Sequence, residues 1–179
     1  MSLILSAEEC RFCPKCAAPL ESRELKPGDP PRLVCTGCGF VLYLDPKLAA
    51  GTISMVDGGI VLAQRSIEPG LGKWVFPGGF VDRGESVAQA AVRETFEEVH
   101  LKVSLLGVLD VYSFPPHEIA IVVYAGDVLN GTPKVGDEVQ AVHCFAPEEI
   151  PWDELAFDST RAALRDYIRR YFPRVRLPR

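Results

Sequence analysis

Between Gly51 and Ser66 the apolar side chains come in two short runs, Thr52 to Val56 and Ile60 to Ala63, separated by Asp57-Gly58-Gly59. Short runs rich in β-branched residues on either side of a glycine turn predict a β-hairpin. A stretch punctuated by glycine and proline follows, from Glu68 to Gly79. The pattern then changes period. Val87, Ala90, Ala91 and Thr95 recur at helical spacing and predict a helix from Ser86 to about His100. Ser86 with Gln89 three residues on is the pair that opens a helix through a capping box. Strand-like runs return over residues 101–112, 119–125 and 139–145, and a last helix is predicted over 159–171 with Leu164, Tyr167, Ile168 and Tyr171 on one side. Strands interrupted by helices, without a repeating βαβ rhythm, predict an α/β domain on a mixed sheet. The chain shows no internal repeat and no low-complexity segment.

The first 46 residues follow a different logic. Cys13-Pro14-Lys15-Cys16 and Cys35-Thr36-Gly37-Cys38 form two Cys-x-x-Cys knuckles with 18 residues between them. Two ligands from each of two tight turns suit the tetrahedral thiolate site of a structural zinc ion. Gly37 and Gly39 suit the bends, and Lys26 to Pro31 reads as a turn between two short strands. So short a segment cannot bury enough apolar surface to fold alone, so the metal supplies the missing stabilisation. A register using Cys10 with Cys13 competes, as do disulfides, which a cytoplasmic setting disfavours. Leu42 to Lys47 leads into the second domain, giving a zinc ribbon over 1–46 and a main domain over 47–179. Cys144, alone, reads as a small core side chain.

Charge narrows the choice of partners. The 179 residues carry a net charge of −5, which speaks against general affinity for nucleic acid. Seven arginines and a single acid, Asp166, fill the last 19 residues. That basic end could touch phosphates, although a solvated helix face and tail is the commoner reason for such a run. No stretch reaches the length of a membrane span, and the N-terminus lacks a charged segment followed by a long apolar one. The expectation is a cytoplasmic protein with no membrane partner.

On the predicted helix Glu94, Glu97 and Glu98 stand at i, i+3 and i+4. At about 100° per residue these carboxylates crowd one face. Like charges at that spacing destabilise an isolated helix, and near its C-terminal end the helix dipole opposes them as well. A hard divalent cation, magnesium or manganese, reverses the sign of the interaction because it takes several carboxylate oxygens. The competing reading of the bare spacing is a solvated acidic face with Arg93 as its partner.

The residues around these glutamates carry a resemblance. Gly79, five residues, Glu85, seven residues, then Arg93-Glu94-Thr95-Phe96-Glu97-Glu98 resembles the Nudix box, G-x5-E-x7-R-E-U-x-E-E-x-G-U. Gly72 to Gly79 looks like that family's approach to the box. Thr95 stands where an aliphatic residue is expected, and His100 where glycine usually ends the helix. A ribbon ahead of the domain and Glu149 to Phe157 near its end are similar to a ribbon-bearing Nudix group associated with FAD or ADP-ribose hydrolysis. Val111 to Pro116 lacks the Ser-Gln-Pro-Trp-Pro-Phe-Pro signature of related NADH pyrophosphatases, so NADH is less favoured.

The resemblance implies a Nudix-type mixed-sheet α/β/α sandwich behind the zinc ribbon. It implies Mg2+ (or Mn2+) held by Glu94, Glu97 and Glu98 with the Gly78 carbonyl, and structural Zn2+ on Cys13, Cys16, Cys35 and Cys38. Arg93 would orient the glutamates and Glu85 would brace the loop. The water-activating base would be Glu94 or, from outside the box, Glu138. The implied reaction opens the diphosphate of a nucleotide derivative and releases AMP. The implied partner is a small nucleotide-derivative substrate, and homodimers are common in the family. Phe40, Tyr43, Phe76, Tyr112 and Phe114 are candidates to stack on a base, against core packing as the usual role of any one aromatic. A non-catalytic nucleotide-sensing or RNA-associated Nudix protein is the alternative.

Overall fold

The computed structural model describes residues 7–115 and 117–178. Most of the N-terminal stretch weighed for a leader, together with Pro116 and Arg179, lies outside them. The chain forms two compact units, Met1–Pro46 and Lys47–Arg179. The first holds a three-stranded antiparallel sheet of β1 (Leu20–Arg23), β2 (Arg32–Cys35) and β3 (Val41–Leu42). Its buried apolar residues, among those described, are Cys13, Val34 and Cys35, too little to sustain a fold by burial alone.

The second unit is built on a seven-stranded sheet. Its strands are β4 (Lys47–Val56), β5 (Gly59–Arg65), β6 (Trp74–Val75), β7 (Gly78–Phe80), β8 (Lys102–Ser113), β9 (Ile119–Asn130) and β10 (Val139–Phe145). The path runs β10-β5-β4-β9-β8, with β6 on β5 and β7 on β4. The sheet is mixed because β4 and β9 pair in parallel, while the other pairs are antiparallel. The hairpin turn is the two residues Asp57 and Gly58, both with positive φ (50° and 83°), the geometry that matches the twist of its strands.

Two helices, α1 (Val87–Val99) and α2 (Asp158–Tyr171), cover opposite faces. The alternation along β5 shows it. Ile60 and Leu62 join Ala163, Leu164, Tyr167 and Ile168 of α2 in one cluster. Val61 and Ala63 join Val99, Leu101 and Val103 in another. A strand buried on both sides reads as a continuous apolar run. Tyr171, expected on the packed side of α2, is instead 42% exposed. The architecture is an α/β/α sandwich on a mixed sheet. No described helix is long and apolar enough to cross a membrane.

Candidate functional site

In the N-terminal unit the four knuckle cysteines bring their sulfurs within 4.8 Å of one another. Cys13 Sγ lies 3.7 Å from Cys38 Sγ and Cys16 Sγ 3.4 Å from Cys35 Sγ. A tetrahedron with Zn–S bonds near 2.3 Å has edges of about 3.8 Å, so this donor set fits zinc. Backbone N–H groups of Lys15, Gly37 and Cys38 donate to the sulfurs of Cys13 and Cys35. The Cys38 N–H leads the effects that bring the Cys35 thiol down to about 6, toward the thiolate a metal needs. Cys10 is not in this group.

The acidic segment is carried by α1. Ser86 caps its N-terminus and exchanges both capping-box bonds with Gln89. Ala90, Ala91, Thr95, Glu98 and Val99 are buried against the sheet. Thr95, where an apolar residue was expected, is accommodated by pairing. Its hydroxyl donates to the Ala91 carbonyl at 2.7 Å and therefore accepts from Thr52 of β4, also at 2.7 Å. The same Thr52 holds the Pro77 carbonyl through its backbone N–H. The glycines of β4 and β7 let backbone and helix close up. A Cβ on Gly51 would stand 2.6 Å from the Pro77 oxygen, and one on Gly79 would stand 2.5 Å from the Glu94 carboxylate.

The three glutamates do not share one environment. Arg93 Nη1 donates to Glu94 Oε1 at 2.8 Å and to Glu97 Oε2 at 2.9 Å. Its Nη2 and Nε hold Glu85 at 2.7 and 3.1 Å, and Nη2 also reaches the Phe80 carbonyl. This pairing holds Glu85 below the usual carboxylate range. Glu98 turns away from Arg93, is buried, and accepts the Gly78 N–H at 2.9 Å. Burial pushes Glu98 up to about 8 and also raises Glu94. Among the described residues the four cysteines are the only group of three or more potential ligand atoms gathered closely enough to hold a metal ion as they stand. Glu94 Oε2, Glu97 Oε1 and Glu98 Oε1 stand outside the bonds just described, so each carboxylate keeps an oxygen for a cation. Burial raises both Glu94 and Glu98, and a divalent ion held by them would remove both penalties at once.

A loop closes on the end of this helix. His100 takes the left-handed conformation (φ 57°, ψ 27°) usual for glycine, and its N–H bonds the Phe96 carbonyl. The N–H groups of Asp137, Gly136 and Lys134 then take the carbonyls of Glu97, Glu98 and Val99. These are the carbonyls a helix leaves unsatisfied at its C-terminus. Gly136 is required there, because a Cβ on it would collide with the Glu97 carbonyl. The loop delivers Glu138 with a left-handed backbone (φ 56°), and the charge of Glu138 is felt at both Glu94 and Glu98. Arg65, which the sequence reading passed over, sits at the end of β5 opposite Val139 and acts on Glu98 with the opposite sign. Of the aromatic candidates, Phe76 and Tyr112 belong to the core. Phe40 and Tyr43 lie under Lys15 and Arg32, and Phe114 is 37% exposed.

A mixed sheet between two helices, with an acidic helix end against a glycine strand, agrees with what comparison finds. The chain belongs to the Nudix hydrolase family: the NUDIX domain profile matches residues 45–170 and the Nudix N-terminal zinc-ribbon profile residues 11–44. An ADP-ribose pyrophosphatase of Methanocaldococcus jannaschii is 36% identical over 134 residues, covering 73% of this chain and 78% of that one. A NAD-capped RNA hydrolase NudC of Pseudomonas aeruginosa is 31% identical over 148 residues, covering 81% of this chain and 51% of that one. The chain thus spans about half the length of that relative. The crystal structure of a NUDIX hydrolase from Nitrosomonas europaea superimposes with a TM-score of 0.84 at 31% identity, covering 92% of this chain and 94% of that one.

Proposed function

We propose that the chain hydrolyses the diphosphate linkage of a nucleoside diphosphate derivative in a magnesium-dependent reaction that releases AMP, with ADP-ribose or FAD favoured as substrate. The observation that carries this reading is the desolvated pair Glu94 and Glu98, held against Gly78 and Gly79 at the end of α1. Glu94, Glu97 and Glu98, with the Gly78 carbonyl, would hold Mg2+ or Mn2+. That ion supplies neutralisation of the diphosphate charge and a lowered water pKa.

This chain's own groups do the rest. Arg93 ties Glu94 and Glu97 to Glu85, so the carboxylates keep their places when the diphosphate enters. Glu138 or Glu94 takes the proton of the attacking water as its oxygen bonds phosphorus. The bridging P–O bond breaks, and its electron pair leaves with the second phosphorylated fragment. Glu138 is the preferred base in this reading, since Glu94 has Arg93 on one oxygen.

ADP-ribose is favoured by the relative that this chain spans for most of its length. NAD-capped RNA, the substrate in the name of the half-spanned relative, is less favoured because residues 111–116 lack the NADH signature. RNA would enter only as the body of such a capped substrate. The chain also carries the ribbon's zinc in this reading. The test is AMP release from ADP-ribose, FAD and NADH, and nicotinamide mononucleotide release from NAD-capped RNA, with magnesium, for wild type and Glu98→Gln. Turnover of ADP-ribose or FAD that falls about 100-fold or more in the variant, with an unchanged fold, is expected. Cleavage of none of the four would leave a nucleotide-binding protein, and equal rates at saturating Mg2+ would remove the site.

A further inference from the structure

Arg65, a partly buried residue, closes β5, and its guanidinium takes no part in the reaction proposed above. Its Nε donates to the Pro69 carbonyl at 2.7 Å. The guanidinium carbon lies 5.3 Å from the centre of the Phe157 ring. One side of the head is therefore anchored and one face is stacked. Among the described residues no carboxylate forms an ion pair with it. The other guanidinium near these carboxylates, Arg93, is consumed by Glu85, Glu94 and Glu97.

The backbone ties Arg65 to the carboxylates. It is the cross-strand partner of Val139, and the N–H of Ser66 bonds the Glu138 carbonyl at 2.9 Å. Two residues ahead of Glu138, Gly136 is bonded to the Glu98 carbonyl at 3.0 Å. Arg65 and the end of α1 are thus joined by one short loop.

A guanidinium anchored on one side and stacked on one face, with no anion to meet it, is a preorganised donor for an anion that comes and goes. Its planar fork matches phosphate oxygens in a way an ammonium does not. We propose that Arg65 is a substrate-binding residue whose free Nη groups take an oxygen of the substrate's diphosphate, with Phe157 as the platform that holds the fork in place. This rests on the diphosphate-hydrolase reading above. The carboxylates then handle one part of the phosphate charge through a cation, and Arg65 handles another directly.

The experiment measures ADP binding by calorimetry in magnesium, and kcat and KM for ADP-ribose, on the intact chain. Arg65→Gln is expected to weaken ADP and raise KM by about tenfold each, the loss of one charge-assisted bond, with kcat within about threefold of wild type. Phe157→Leu, which leaves the cation but removes its platform, is expected to weaken ADP by about threefold. ADP affinity and KM within about twofold of wild type in Arg65→Gln, at an unchanged thermal midpoint, would overturn the assignment. If that variant does not fold, Arg65→Lys decides: about threefold or greater weakening supports the fork, and unchanged affinity overturns it. A wild type that binds ADP but cleaves no diphosphate refutes the hydrolytic reading alone, and ADP still decides Arg65. A wild type that cleaves, with Arg65→Gln unaffected, refutes Arg65 alone.

Discussion

In the N-terminal unit four sulfurs already lie within 4.8 Å of one another, yet among its described residues only Val34, besides two of those cysteines, is a buried apolar residue. In the second unit the carboxylates of α1 are distributed between Arg93 and Gly78, while the helix that carries them rests on a core of buried Ala90, Ala91, Val99 and Leu101. The first site has ligands and almost no scaffold. The second has a scaffold, and its proposed ligands are held by Arg93 and a backbone N–H. A metal that makes a fold and a metal that a fold makes room for leave different marks. The thiols have no other reason to converge, whereas the glutamates are stable enough without a cation to be held by Arg93 and a backbone N–H.

The sharpest way to break that contrast is to remove the zinc. Cys35→Ser with Cys38→Ser should take bound zinc from about one per chain to none and unfold the N-terminal unit. The second unit should keep its fold, because its stability comes from apolar burial and not from coordination. Metal analysis with amide spectra resolved by unit reads both effects. Zinc-free protein with an intact ribbon, or one in which both units unfold together, would show that the contrast is wrong.

A smaller effect concerns Glu98. Burial pushes it up to about 8, with the Gly78 N–H opposing and Glu94 adding. In the unfolded chain a glutamate ionises near about 4.3. Between those values the folded state keeps a proton that the unfolded state has released. The stability tied to Glu98 is therefore complete below about pH 4.3 and declines as pH rises toward about 8. In metal-free protein the thermal midpoint of wild type should fall against that of Glu98→Gln across this window. Magnesium added at about pH 8 should restore wild type and not the variant, since a cation takes the place of the proton. A difference that is flat with pH would mean that Glu98 is better hydrated than its burial implies.

These contrasts also explain what could be read ahead of the structure. The knuckles, the Asp57-Gly58 turn and the Ser86–Gln89 cap are local: each is set by residues at most four apart. The helical edge of Glu94, Glu97 and Glu98 is local for the same reason. What the sequence hid is what sheet pairing brings together from afar. Nothing in Gly78 to Phe80 resembles a strand, because this strand exists to let backbone approach β4 and α1, and its glycines carry no pattern. The parallel pairing of β4 with β9 joins segments about 70 residues apart. Arg65 escaped notice because its meaning depends on Phe157 and on the loop before Glu138, neither near it in the chain. Thr95 looked like a departure to be tolerated; its partner Thr52, 43 residues away, makes it a satisfied buried hydroxyl.

The smallest effect is at His100, where the scaffold of the second site can be improved without touching a ligand. A side chain in the left-handed region strains its own backbone, and glycine does not. Gly131 packs so closely on the His100 carbonyl that a Cβ there would stand 2.5 Å away, so the turn at His100 has little room to relax. What His100 gains in return is an edge-to-face contact with Phe96, ring centres 5.9 Å apart, and Phe96 is 45% exposed. An exposed ring contact is worth about 0.5 kcal/mol, and relief of the left-handed backbone about 1–2 kcal/mol. His100→Gly should therefore stabilise the second unit by about 1 kcal/mol, raising its midpoint by about 2–4 °C, with AMP release unchanged. His100→Ala separates the two terms, since it keeps the strained backbone and loses the ring, and its midpoint should fall below wild type. A glycine variant no more stable than wild type would show that the loop from Gly131 to Glu138, and not the residue at the helix end, holds this backbone in place.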